Sequence, residues 1–208
     1  MCKKTLDKFT IMQYLHRMQN KKKLKDIADV IAGYTFRGAI KENSDSSLHV
    51  LQAKNIKEDL FVNDDLLART AIDTSHTKAF AKDGDVVIGA RGLFRSAIVR
   101  STKKILASSS VYLLRVKQES SVLPEYLVIY FNSSFGRKNI AQVVTGAAIK
   151  LILKKDLENI EIPILPIMKQ QQMRALYQNL RKQEKLLIRK NKLQKNIMDA
   201  TIKNIARG

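Results

Sequence analysis

The stretch "NIEIPILPIMKQQQMRALYQNL" (residues 159–180) joins two unlike patterns, and its reading decides the architecture. Ile160, Ile162 and Ile164 alternate with other residues as a half-buried strand requires, so a strand is predicted over 160–164. Pro163 and Pro166 interrupt the run, and a glutamine-led helical pattern follows. From 167 to 206 there is neither proline nor glycine, which allows one helix of about 40 residues, roughly 60 Å long. A rod of that length cannot lie along a small domain throughout. Leu176, Leu180, Leu187, Asn191, Met198 and Ile202 recur at spacings of 4, 7, 4, 7 and 4, and Leu186, Leu193 and Ile197 widen their stripe. Such a stripe predicts pairing with another helix. Asn191 either fixes register at a seam, at a cost in stability, or stands half exposed; the spacing leaves both open.

The 208 residues suffice for one domain and an extended element, and an apolar fraction of 45% suffices for a core. Thirty-eight Lys and Arg against 19 Asp and Glu give a net charge of +19, which puts a polyanion first among partners, nucleic acid ahead of a membrane surface. The charge gathers at the ends: +7 over residues 1–25 and +9 over 167–208, leaving +3 for the 141 residues between. A nearly balanced body must place its cations locally to bind nucleic acid. No apolar run approaches the roughly 20 residues that cross a bilayer, so no membrane span is predicted. The first residues lack a secretory pattern, and Cys2, the single cysteine, fits a reducing compartment, so a cytoplasmic location is expected.

Residues 1–23 read as a basic arm with a helix over 6–18. "LKDIADVIAGYTFRG" (24–38) has apolar residues at 24, 27, 28 and 31, a helical spacing ending at Gly33. "LHVLQAKNI" (48–56), "GDVVIGARG" (84–92), "SAIVRS" (96–101) and "SSVYLLRVK" (109–117) read as strands. One or two helices are predicted in "LPEYLVIYFNSSFGRKNIAQVV" (123–144). "TGAAIKLILKKDLENIEIPILP" (145–166) reads as a glycine loop, a short strand, a helical turn and the final strand. The class is α+β (mixed α/β): a globular unit over 24–166, then one long C-terminal α-helix over 167–208 forming a coiled coil.

Catalytic constellations do not stand out. Neither Glu-x-Lys nor Asp-x-Lys occurs, against a common metal-dependent nuclease core, and the three prolines are never adjacent, against the Asn/Asp-Pro-Pro-aromatic motif of amino-methyltransferases. There is no Gly-Lys-Ser/Thr phosphate loop, and Gly84, Gly89 and Gly92 do not form a dinucleotide fingerprint. His16, His49 and His76 are scattered, so no metal site is predicted. Binding without catalysis and without a cofactor is the expectation.

These pieces, taken in order, resemble the specificity subunit of type I restriction-modification systems. "LKDIADVIAGYTFRG" is similar to that family's opening segment, and "LHVLQAKNIKED" to the strand and loop that follow. "FAKDGDVVIGARGLFRSAIV" resembles the part in which a Gly-Asp pair leads a strand into an Arg/Gly loop. The most specific likeness runs over 123–180, with helix, "TG" loop, isoleucine-proline strand and glutamine-led helix in the family's order.

The resemblance implies a target recognition domain that reads half of a bipartite double-stranded DNA site, with the long helix as a spacer. The usual subunit has two such domains and an antiparallel helix pair, whereas one of each is present in this sequence. That implies a two-fold homodimer and an interrupted palindrome as target. DNA adenine methyltransferase subunits, and in a complete system a restriction (translocase/nuclease) subunit, are the implied partners; S-adenosylmethionine, Mg²⁺ and ATP would belong to them. Base-reading candidates are Thr35 and Arg37, Gln52, Lys54 and Asn55, Arg91 and Arg95, and Lys150, because Arg suits guanine and Asn or Gln adenine. Lys103 and Lys104 fall on an expected turn and read as phosphate contacts. Leu176, Leu180, Leu187, Asn191, Met198 and Ile202 are the dimerisation candidates. Two other readings stay open: a standalone DNA-binding or decoy protein of the same fold, and a structural coiled-coil protein whose charge serves an acidic partner.

Overall fold

The computed structural model describes residues 20–57, 59–72, 77–146 and 150–206; the helix expected over 6–18 lies outside them. The body is built on two four-stranded sheets. The first runs in the order β2 (Ala28–Ala32), β9 (Val111–Val116), β6 (Val86–Gly89) and β7 (Ser96–Ile98), all antiparallel. The second runs β4 (Ala68–Arg69), β3 (Leu48–Leu51), β8 (Lys104–Ala107) and β5 (Phe80–Ala81), and its β3–β8 pair is parallel.

Both faces of the first sheet are covered, which is why β6 is apolar at every position instead of alternating. Val87, Ala97, Val99 and Leu113 face the second sheet and pack with Leu51, Ile56, Ile105 and Ala107. Val86, Ile88, Ile98 and Leu114 face the other way, against α2 (Pro124–Asn132) and α3 (Ser134–Val143). The join of these two helices is chemically specified: Ser133 caps α3 by accepting from Gly136 N at 3.0 Å. Two short antiparallel pairs complete the body, β1 (Asn20–Lys23) with β12 (Glu161–Ile164), and β10 (Val144–Thr145) with β11 (Leu151–Ile152). The helical turn α4 (Lys154–Glu158) separates β11 from β12.

Two local expectations differ from the structure. The segment from Leu24 does not stay helical to Gly33: α1 (Leu24–Ile27) gives way to the strand β2. Asp26 Oδ2 accepts from Lys23 N at 3.3 Å and holds the single turn, after which Val30 and Ile31 pair with Leu114 and Leu113 of β9. The tertiary pairing overrides a helical spacing that only four residues defined. Lys104 likewise begins β8 instead of sitting in a turn.

The C-terminal helix α5 (Ile167–Ile205) is continuous for 39 residues. Its root is fastened by Gln170, which is wholly buried. The Gln170 amide donates to Leu165 O at 2.7 Å and Ser121 O at 3.1 Å, and its oxygen accepts from Leu123 N at 2.8 Å. Both amide hydrogens and the carbonyl oxygen are thereby engaged, so the helix start is tied to the segment before α2 and to its own entry. Tyr126 reinforces the junction by donating to Pro163 O, and burial pushes its phenol up to about 12. Farther along, Met173 and Tyr177 pack on the core, Arg181 stacks over Tyr177, and Lys185 reaches Asp59 at 3.0 Å. Beyond Lys185 the described side chains of α5 are all exposed.

Candidate nucleic-acid interface

The candidate side chains come from distant parts of the chain, and hydrogen bonds around the Ser108–Ser109–Ser110 turn draw most of them to one end of the body. In Tyr34, which leads into Thr35 and Arg37, the backbone N donates to Ala107 O at 2.7 Å and the backbone O accepts from Ser109 N at 2.8 Å. Leu51 O, just before Gln52, accepts from Ser108 N at 2.8 Å. Ala53 N donates to Ser110 Oγ at 3.0 Å, which seats the single turn that carries Lys54 and Asn55. Ala90 N donates to Ser110 O at 2.7 Å, which brings in the loop of Arg91 and Arg95. Finally, Gly92 N donates to Lys150 O at 2.9 Å, joining Lys150 to the same loop.

The segments 33–38, 52–55, 89–95, 144–146 and 150 contribute Arg37, Lys54, Arg91, Arg95 and Lys150 and contain no carboxylate. On these loops a nearly neutral body gathers charge of one sign, and Glu158 of the neighbouring helical turn lies within electrostatic reach of Tyr112 beside them. Thr35, Arg37, Lys54, Arg91 and Lys150 are exposed, and Gln52, Asn55 and Arg95 are half-buried. Asn55 is engaged structurally: its Oδ1 accepts from Gln52 N at 2.9 Å and its Nδ2 donates to Leu66 O at 3.3 Å. Arg91 lies close enough to Tyr112 to oppose the rise that burial gives that phenol.

Backbone geometry fixes the Arg/Gly loop. Gly92 has φ +73°, a conformation that L side chains resist. At Gly89 a Cβ would lie 2.4 Å from Leu93 O, so only glycine lets the loop fold back this tightly. Beneath the loop is a groove of about 470 Å³, floored by Phe94, Ile140 and Val144 and rimmed by Arg95, Arg137 and Lys150. Arg137 was not among the sequence candidates. Its place in the groove depends on α3 packing beside the loop, which no local pattern reveals.

Lys103 and Lys104 stand apart, at the opposite end of β8, roughly 10 Å along the strand from Ala107. Lys103 Nζ is 2.6 Å from Asp65 and 3.5 Å from Asp64. A hydroxyl donated by Ser101, with help from Lys103, holds the Asp64 carboxyl below its ordinary range. Lys104 Nζ lies 4.9 Å over the Phe80 ring. The Gly-Asp pair also has a structural role: Gly84 turns the chain with φ +86°, and buried Asp85 binds Arg115 at 2.7 and 3.0 Å. Among the described residues, no group of three or more His, Cys, Asp and Glu is placed to hold a metal ion, and no helix is long and apolar enough to cross a membrane.

Residues 18–204 match the family model of the type I restriction modification DNA specificity domain, and the chain belongs to that family. Its members are recognition components that do not catalyse. No curated protein matches the chain. Among solved structures, the fold is similar to a chain from a study of complex assembly and conformational transition of the type I R-M system, with a TM-score of 0.61, 19% identity and 81% of this chain covered. The HsdS subunit from Thermoanaerobacter tengcongensis is similar too, with a TM-score of 0.58, 20% identity and 82% covered. In each case the match spans 39% of the solved chain.

Proposed function

We propose that the chain is a sequence-reading part of a type I restriction-modification system, which binds double-stranded DNA through the loop end around Ser108–Ser110 and directs adenine methylation, and with a nuclease partner restriction, by separate chains. The observation that carries this reading is the convergence of five cations, without a carboxylate, on short loops pinned by backbone hydrogen bonds. Pinned loops fix where a guanidinium meets a base edge, and Arg91 and Arg95 carry the donors that suit guanine. Thr35, Arg37, Gln52, Lys54 and Lys150 remain further candidates for base edges, and Arg137 adds a cation suited to phosphate. The body acts as a target recognition domain in the cytoplasm, and α5 as a spacer.

The spacer function rests on the exposed apolar stripe of α5. Leu176, Leu180, Leu187, Met198 and Ile202 are each about half or more exposed, and Asn191 lies in the same row. A second copy of the chain, packed antiparallel, covers that row and makes a two-fold pair that reads an interrupted palindrome.

Enrichment of bound duplexes from a random library, with the methyltransferase subunit present, tests the DNA reading. One bipartite sequence is expected. On it, Arg91→Ala should reduce discrimination at a single base position by roughly 10- to 100-fold, while Lys104→Ala, at the other end of the body, should leave binding unchanged. A library that stays random, or equal losses from the two substitutions, overturns the assignment of the interface.

A further inference from the structure

Leu93 is out of character with its surroundings. Among the described residues of the loops at the Ser108–Ser110 end, it is the only exposed large apolar side chain, 64% exposed between Arg91 and Arg95. Isolated exposed leucines are ordinary on protein surfaces and need no explanation. This one differs in how firmly it is held. Gly89 N donates to Arg95 O at 3.0 Å and closes the loop across its neck, while Gly92 N is bound to Lys150 O at 2.9 Å. The Leu93 carbonyl occupies the space a side chain at Gly89 would need, and the next residue, Phe94, packs on the core. The leucine is thus presented to solvent by a braced loop whose neighbours are cations.

We propose that Leu93 is a specificity-determining residue that contacts the 5-methyl group of a thymine. The inference rests on the DNA-binding reading given above and adds to it one atom of the target. Phosphate contact gives no reason for an apolar side chain at this tip, because a phosphate oxygen offers it nothing. Of the groups displayed in the major groove, the thymine methyl is the apolar one, and aliphatic side chains read it by contact. Flanking guanidiniums that bond to neighbouring bases would hold the leucine against the groove floor and exclude water from the contact. Charge on either side supplies the attraction, and the leucine supplies discrimination of thymine from cytosine.

The test uses the full-length chain and the duplex enriched from a random library. Each thymine is replaced in turn by deoxyuridine, which removes the 5-methyl group alone. At one thymine per half-site the wild-type protein should lose about fourfold in affinity, the worth of one buried methyl-sized group. Leu93→Ala should bind thymine and uracil duplexes equally at that position, and Leu93→Met should keep the preference. Both variants change an exposed side chain, and their melting temperatures should match that of the parent. An enriched site at which no uracil replacement matters, or at which Leu93→Ala retains the full loss, overturns the role of Leu93 and leaves the DNA reading standing. Failure to enrich any sequence overturns both.

Discussion

The two halves of α5 are one uninterrupted helix with opposite environments. The half up to Lys185 is held by the body through Gln170, Met173, Tyr177 and the Lys185–Asp59 pair. The half beyond it exposes Leu186, Leu187, Ile188, Leu193, Ile197, Met198 and Ile202 to solvent. Helical continuity therefore does not imply a common source of stability. A basic helix of about 20 residues is marginal in water on its own, and its order must come from packing an apolar face. The first half has that packing within the chain, and the second half, in the proposed dimer, receives it from another helix.

This contrast can be broken in order of expected effect. The largest comes from Leu187→Asp with Met198→Asp, which sets two carboxylates on the proposed seam. The parent should show twice the monomer mass by light scattering at micromolar concentration, and the double variant the monomer mass, with dimer dissociation raised by roughly 1000-fold. Melting of the body should be unaffected. A parent that is already monomeric sinks the homodimer. Next, Gln170→Ala removes three hydrogen bonds at a buried site and should destabilise the body by about 3 kcal/mol in urea titration; a loss under 1 kcal/mol would mean that the root is held by other contacts. The smallest effect belongs to the exposed Lys185–Asp59 pair, where a double-mutant cycle should return no more than about 0.5 kcal/mol. A much larger coupling would move the boundary between the two halves, because the pair would then be part of the dock.

Much of this architecture is legible in the residues themselves. The strand over Glu161–Ile164, the paired helices over Pro124–Val143 and the long helix from Ile167 all follow from periodicity and breakers, which are local signals. What escaped was decided at long range. Leu24, Ile27, Ala28 and Ile31 have helical spacing, yet Ala28–Ala32 is a strand because β9 offers it a partner 80 or more residues away. Of three consecutive glutamines only Gln170 is buried, and no composition distinguishes it from Gln171 and Gln172. The candidate cations all read as loop residues in the sequence, and their division into two ends of the body depends on the serine turn and on the acids around Lys103. Arg137 reaches the groove only because α3 lies beside the Arg/Gly loop.

The amide of Gln170 also sets an angle. From Gln170 to the end of α5 the helix extends about 50 Å. It is a lever arm whose root is set by those three hydrogen bonds together with the packing of Met173 and Tyr177, and a tilt of that root by about 10° displaces the tip by about 9 Å. Stacked base pairs repeat about every 3.4 Å, so that tilt corresponds to more than two steps along a duplex. In the proposed pair, a gap of defined length between half-sites thus depends on stiffness at the root as much as on the number of helical turns. A buried side chain far from any base becomes the calibration of the ruler.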